Sequence, residues 1–184
     1  VVIAREKAQQ EGLKMNFQQA EFGSLAQTFG EDRFDALLCL GNSLPHLLEE
    51  VSLVNAMGDF AAVLKSGGKL IVQNRNFDFV LSTRVRWMPP QTFRKGDATW
   101  IFARFYDFDA DGRLTFNIQI LHSEAEGEFH QQVISTRLWP MKKKVLVDFI
   151  KKSGFSNLAV FGNLEGETFD PGSSGNLVIT AKAP

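Results

Sequence analysis

The stretch Phe34-Asp35-Ala36-Leu37-Leu38-Cys39-Leu40, followed by Gly41-Asn42-Ser43, decides the fold. Apart from Asp35 the run to Leu40 is apolar, with no alternation to separate a wet face from a dry one. A near-continuous apolar run of strand length is what a sheet covered on both faces requires, and such sheets are parallel. Gly41 then lets the backbone approach a ligand closely, and Asn42 and Ser43 supply neutral donors and acceptors. Open α/β sheets bind ligands just outside the carboxyl ends of their strands, where these three residues stand. Taken alone, Gly41 to Ser43 reads equally as a turn in which Asn42 or Ser43 caps a short helix.

Working outward, residues 1 to 11 are rich in Ala, Glu, Gln and Lys and read as a helix that Gly12 ends. Met15 to Ala20 reads as a strand. Leu53, Met57, Phe60, Ala61 and Leu64 fall at helical spacing between Val51 and Lys65, and Ser66-Gly67-Gly68 closes that helix before a strand at Lys69 to Asn74. A helix near Lys142 to Ser153 and strands near Leu158 to Phe161 and Leu177 to Ala181 complete the rhythm. Strands alternating with helices predict an α/β, doubly wound sheet. The segment 84–140 departs from it: Trp100 to Phe108 and Arg113 to His122 are aromatic and β-branched, with turn chemistry at Ala110-Asp111-Gly112 between them. Leu114, Phe116, Ile118 and Ile120 alternate with Thr115, Asn117 and Gln119, so that strand has one apolar face to lay over something. A third strand near Gln131 to Leu138 makes an antiparallel β meander. The expected division is a core of 1–83 and 141–184 with 84–140 inserted over the site.

Several motifs follow the strands in order: Gln19-Ala20-Glu21-Phe22; Phe34 to Leu40 with Gly41-Asn42-Ser43-Leu44-Pro45-His46-Leu47; Val63-Leu64-Lys65-Ser66-Gly67-Gly68; and Asn74-Arg75-Asn76-Phe77-Asp78 onward to Thr83. Their order and spacing resemble the class I S-adenosylmethionine-dependent methyltransferases, and more narrowly the glycine/sarcosine N-methyltransferases. The resemblance covers residues 1 to 83 and, more loosely, the closing helix and strands. It implies a Rossmann-like fold and S-adenosyl-L-methionine as cofactor. Glu21 and Phe22 would flank the adenine, Leu40 and Gly41 would pass backbone atoms along the cofactor, and Ser43 and His46 would contact its methionine end. Asn42 and Arg75 would hold the carboxylate of an amino acid substrate. Arginine suits that task, because its planar guanidinium donates two parallel hydrogen bonds and does not lose its charge. The competing reading of Arg75 is a structural ion pair with Asp78 or another acid, and that of His46 a helix-cap or core histidine.

The glycine-rich loop of this family and the acidic residue that binds the ribose have no counterpart in the chain. The family order then leaves the strand at Met15 without a hydrogen-bonding neighbour, so we expect the sequence to be part of a larger protein that binds the cofactor poorly in this form. The resemblance makes methyl transfer to the nitrogen of an amino acid or related small amine the leading expectation. The alternatives are methylation of another small-molecule acceptor, such as a phenol or quinone precursor, and a non-catalytic binding module.

Composition narrows the partners. The 184 residues, 44% hydrophobic and 22% charged, suit one globular unit, and a formal charge of -1 provides no cationic field for nucleic acid or an anionic membrane. One cysteine excludes an intrachain disulfide, and no apolar run spans a bilayer, which makes a cytoplasmic location the default. A homo-oligomer is compatible with all of this. Asp107-Phe108-Asp109-Ala110-Asp111-Gly112 matches the first half of a calcium loop, but Ile118 stands where a bidentate Glu is needed, so a solvated hairpin turn is the better reading. His46, His122, His130 and Cys39 lack metal-ligand spacing.

Overall fold

The parallel pair expected around Gly41 forms from β1 (Phe34–Cys39) and β2 (Leu64–Arg75), joined by the helix α3 (Glu50–Val63). Parallel strands need such a crossover. The computed structural model describes residues 1–124 and 127–184. Ala36 lies opposite Lys69 and Cys39 opposite Val72. β2 starts earlier than Lys69: α3 passes directly into it at Leu64, and the ladder shifts register between Phe34 and Ala36, opposite Ser66-Gly67-Gly68. The sheet continues with β7 (Ser156–Phe161) and β8 (Asn176–Lys182) in the order β1-β2-β8-β7, with β8 antiparallel to both β2 and β7.

Leu53, Met57 and Phe60 of α3 and Leu146 and Ile150 of α5 (Lys143–Lys152) share a buried cluster with Leu70, Val72, Leu177 and Ile179 of the sheet. Each such side chain contributes roughly 1.5–3 kcal/mol by leaving water. The lysines at the start of α5 oppose the helix dipole, and Asp78 offsets them: its Oδ2 accepts the Lys143 N–H at 2.7 Å. Lys144 pairs with Asp148 one turn along, at 2.6 Å.

Among the described residues β1 stands at the edge of the sheet, with Phe34 39% and Leu38 58% exposed in this chain. One expectation needs correction here. Met15 to Ala20 forms no strand. A lone extended segment has nowhere to send alternate N–H and C=O groups, and this one is tied instead by the Arg5 guanidinium donating to the Phe17 carbonyl at 2.6 Å. The opening helix α1 (Val2–Gln10) does form, and Gly12 beyond it sits at φ +69°. A short helix α2 (Leu25–Phe29) went unread in the sequence; Asp59 of α3 caps it, accepting the Leu25 and Ala26 N–H groups at 2.7 and 2.8 Å.

The insertion is a four-stranded antiparallel meander rather than three strands: β3 (Gln91–Lys95), β4 (Ala98–Phe108), β5 (Leu114–Ser123) and β6 (His130–Leu138). The missed strand β3 is exposed along its length, so no apolar alternation marks it. The meander docks through α4 (Phe77–Thr83), whose Phe77 and Val80 bury against Tyr106, Leu114 and Leu138. Arg113 adds a strap, donating to the Leu48 carbonyl and lying 4.8 Å from the Trp139 ring centroid. The would-be calcium loop spends its carboxylates locally: Asp107 pairs with Arg86 and accepts from Asn117, Asp109 accepts from Thr115, and Asp111 pairs with Arg137. Among the described residues no helix is long and apolar enough to cross a membrane.

Candidate active site

β1 and β2 end side by side, and their carboxyl ends are knitted together. Gly41 and Asn42 follow one another in the left-handed region, at φ +73° and +63°. Glycine takes that conformation freely, and asparagine tolerates it better than other side chains. Gln73 holds the turn: its Oε1 accepts the Gly41 N–H at 2.8 Å, its main-chain oxygen accepts the Asn42 N–H at 3.3 Å, and its Nε2 donates to Asn176 Oδ1 at 3.1 Å. In return Asn42 Oδ1 accepts the Arg75 N–H at 3.0 Å. The Asn42 carbonyl is thereby engaged, which leaves its NH2 group as the donor to meet a ligand.

Beyond Arg75 the chain turns sharply under the control of Asn76, which is 1% exposed. Its Oδ1 accepts the Phe79 N–H at 3.2 Å as the cap of α4, while its Nδ2 donates to Ser174 O at 2.9 Å and Pro171 O at 3.1 Å. One side chain thus fixes both the start of α4 and the 170–175 loop.

A cavity of about 520 Å³ opens between these turns and the meander. Gly41, Asn42, His46 and Arg75 line it from the core; Met88, Arg104, Tyr106, Phe116 and Thr136 line it from the insertion. Among the described residues no carboxylate lines it. Arg75 makes no ion pair among the described residues, and Asp78, the acid considered for it, serves α5 instead. The Arg75 and Arg104 Nε atoms are buried and, among the described residues, have no hydrogen-bond partner. Both cations act on Tyr106: burial pushes its phenol pKa up, and the neighbouring Arg75 and, more weakly, Arg104 pull the other way. His46 is exposed on the cavity, neither in the core nor capping a helix with its side chain.

Four of the eight anticipated residues meet here: Gly41, Asn42, His46 and Arg75. The other four stand elsewhere. Leu40 is exposed at the end of β1, and Ser43 turns back, its Oγ donating to the Leu40 carbonyl at 2.7 Å ahead of a single 3-10 turn at Leu44–His46. Phe22 lines a separate hollow along α3, its ring centroid 6.0 Å from that of Phe60, and Glu21 is exposed beside it. Reasoning from sequence missed Arg104 and Tyr106. The available signal was Phe102, Arg104, Tyr106 and Phe108, in which a lone charge interrupts the apolar face of β4.

Comparisons with known proteins bear on the fold. Residues 1–68 match a family model described as a methyltransferase domain. The chain is 27% identical over 139 residues to a glycine/sarcosine N-methyltransferase from Aphanothece halophytica, covering 76% of this chain and 48% of that protein. It is 35% identical over 72 residues to the glycine N-methyltransferase of Rattus norvegicus, covering 37% of this chain and 25% of that one. The chain therefore spans about half the length of the first of these relatives, and less of the second. Among solved structures, an S-adenosylmethionine-dependent methyltransferase from Clostridium acetobutylicum superposes with a TM-score of 0.76 over 97% of this chain and 69% of that one, at 14% identity. A sugar N-methyltransferase from Streptoalloteichus gives 0.71 over 95% and 66%, at 16% identity. Residues 1–68 thus match a methyltransferase domain, and the chain shares its Rossmann-like fold with solved S-adenosylmethionine-dependent methyltransferases.

Proposed function

We propose that the protein containing this chain transfers a methyl group from S-adenosyl-L-methionine to the nitrogen of a small amine that carries a carboxylate, an amino acid such as glycine or sarcosine. The observation that carries the reading is Arg75: a guanidinium with no acid partner among the described residues, in a cavity that Asn42 also lines and that no carboxylate of those residues lines. A planar cation there can clamp a carboxylate with two parallel hydrogen bonds, and Asn42 can add a third donor. The open space beside Gly41, where a Cβ would meet nothing within 4 Å, suits the methyl donor, with His46 within reach of the same volume. The bound cofactor supplies an already activated sulfonium methyl, so the protein's work is alignment and exclusion of water. Arg75 and Asn42 orient the acceptor, and the meander closes the site with Tyr106, Phe116 and Met88. The names of the curated relatives, glycine and sarcosine N-methyltransferases, favour the same acceptor class.

The test is an assay of S-adenosylhomocysteine release by the full-length protein across a panel of amino acids and amines. Arg75→Ala should raise the KM of the preferred acceptor by about 30- to 150-fold, the worth of one charge-assisted contact of roughly 2–3 kcal/mol, while cofactor affinity changes little. Equal loss of both would overturn the role given to Arg75, and no turnover with any carboxylate-bearing amine would overturn the reading.

A further inference from the structure

We infer that the cavity recognises a second anionic group on the acceptor, held by Arg104 of the meander, so that the preferred substrate is an amine bearing two acidic groups rather than glycine itself. The inference rests on the carboxylate-binding role proposed for Arg75 and extends it. Three observations carry it.

The first is the setting of Arg104. Along the cavity face of the meander the antiparallel register groups Phe102, Tyr106 and Phe108 with Ile120, Ile118, Phe116 and Leu114. Arg104, opposite Ile118, is the one charge on that stretch of β4 and β5. Placing a guanidinium among apolar side chains is costly unless something pairs with it. The second is that the acids of the same hairpin are committed elsewhere. Asp107 occupies the alternate position, on the opposite face, and pairs with Arg86, while Asp109 and Asp111 sit at the turn with Arg137. Those two arginines have carboxylate partners; Arg104, among the described residues, has none, and its Nε is buried without a hydrogen-bond partner. The third is the charge balance of the cavity. Arg75 and Arg104 both line it and, among the described residues, no acid does. A neutral amine with one carboxylate compensates one guanidinium and leaves the other unpaired, next to a cationic methyl donor. An acceptor with two anionic groups compensates both.

The second group's chemistry, a carboxylate or a phosphate, is the same to a guanidinium fork. The experiment is calorimetric titration of the full-length protein, saturated with S-adenosylhomocysteine. The ligands are L-aspartate and L-glutamate against L-asparagine and L-glutamine, and O-phospho-L-serine against L-serine. One acidic member should bind at least about tenfold more tightly than its neutral counterpart, and the arm in which this occurs identifies the group. Arg104→Gln should bring that ratio close to one, and Arg104→Lys should restore part of it. Because the ratio is taken within one protein, a general loss of affinity cancels. Should the Gln variant not fold, the comparison in the unaltered protein decides alone. Acidic and neutral members binding alike, or a ratio that persists in Arg104→Gln, would overturn the inference. Turnover measured in parallel separates the two proposals: acidic preference without methylation of any amine refutes the proposed function and leaves the second anion site standing, whereas methylation of glycine without acidic preference does the reverse.

Discussion

Asn76 offers the sharpest test of how the site is held. Replacing it with alanine removes the cap of α4, about 1 kcal/mol. It also strips the Pro171 and Ser174 carbonyls of their donor in a place where Asn76 itself is 1% exposed, at roughly 1 kcal/mol each. The sum is about 3 kcal/mol. With a urea m-value of about 2 kcal/mol per molar for a chain of this size, the unfolding midpoint should fall by about 1.5 M. Asn76→Asp separates the two roles. Aspartate caps an ordinary helix as well as asparagine does, but here it would turn a carboxylate oxygen, an acceptor, toward two carbonyls. It should therefore be at least as destabilising as alanine. The assay is equilibrium urea denaturation followed by circular dichroism. If Asn76→Asp proves clearly more stable than Asn76→Ala, the amide donors are not what ties the 170–175 loop to Arg75, and the reasoning fails.

Other outcomes follow from the same geometry. Gln73→Leu should release the Gly41 turn from β2, because both the acceptor for the Gly41 N–H and the donor to Asn176 go; it should lower cofactor affinity at least as much as acceptor affinity, read by separate titrations, and a selective loss of acceptor binding would contradict it. Burial pushes the Cys39 thiol up to about 11, the chief effect, against a smaller lowering by the Leu44 backbone. Cys39 should therefore react slowly with iodoacetamide at neutral pH until urea unfolds the chain, and rapid stoichiometric labelling of the native protein would contradict this. Asp35, Asp111, Asp148 and Asp170 all have pKa values held below 3.8: by Lys65 for Asp35, by the Arg113 N–H and then Arg137 for Asp111, by Lys144 for Asp148, and by Ser173 and the Gly172 N–H for Asp170. Depressed carboxylates favour the folded state above their unfolded value, and that contribution is lost as pH falls through the folded one. The urea midpoint should therefore decline as pH drops below 3.8, and Asp111→Asn should flatten the decline; a midpoint indifferent to acid would refute it.

Much of the molecule is written locally. The apolar run ending at Cys39, the periodic apolar face of α3 and the glycine turn after β1 are short-range signals, and they suffice for a parallel β1-α3-β2 unit with a polar turn after each strand. The Gly41 and Arg75 turns could be foreseen in one crevice because the carboxyl ends of adjacent parallel strands must lie together. What lies over that crevice is a long-range matter. β3 has no apolar face to announce it and exists because Gln91 to Lys95 can hydrogen-bond to the edge of β4. Met15 to Ala20 has strand-like residues and no strand beside it, so propensity came to nothing. Arg104 and Tyr106 read as ordinary positions of a hairpin until docking through α4 brings their face over Arg75. The hydrophobic pattern of this chain thus determines which segments become strands and helices and which ends carry polar turns. Which charges meet across the cavity is decided only when the meander packs, because a side chain's electrostatic partners depend on neighbours in space and not in sequence.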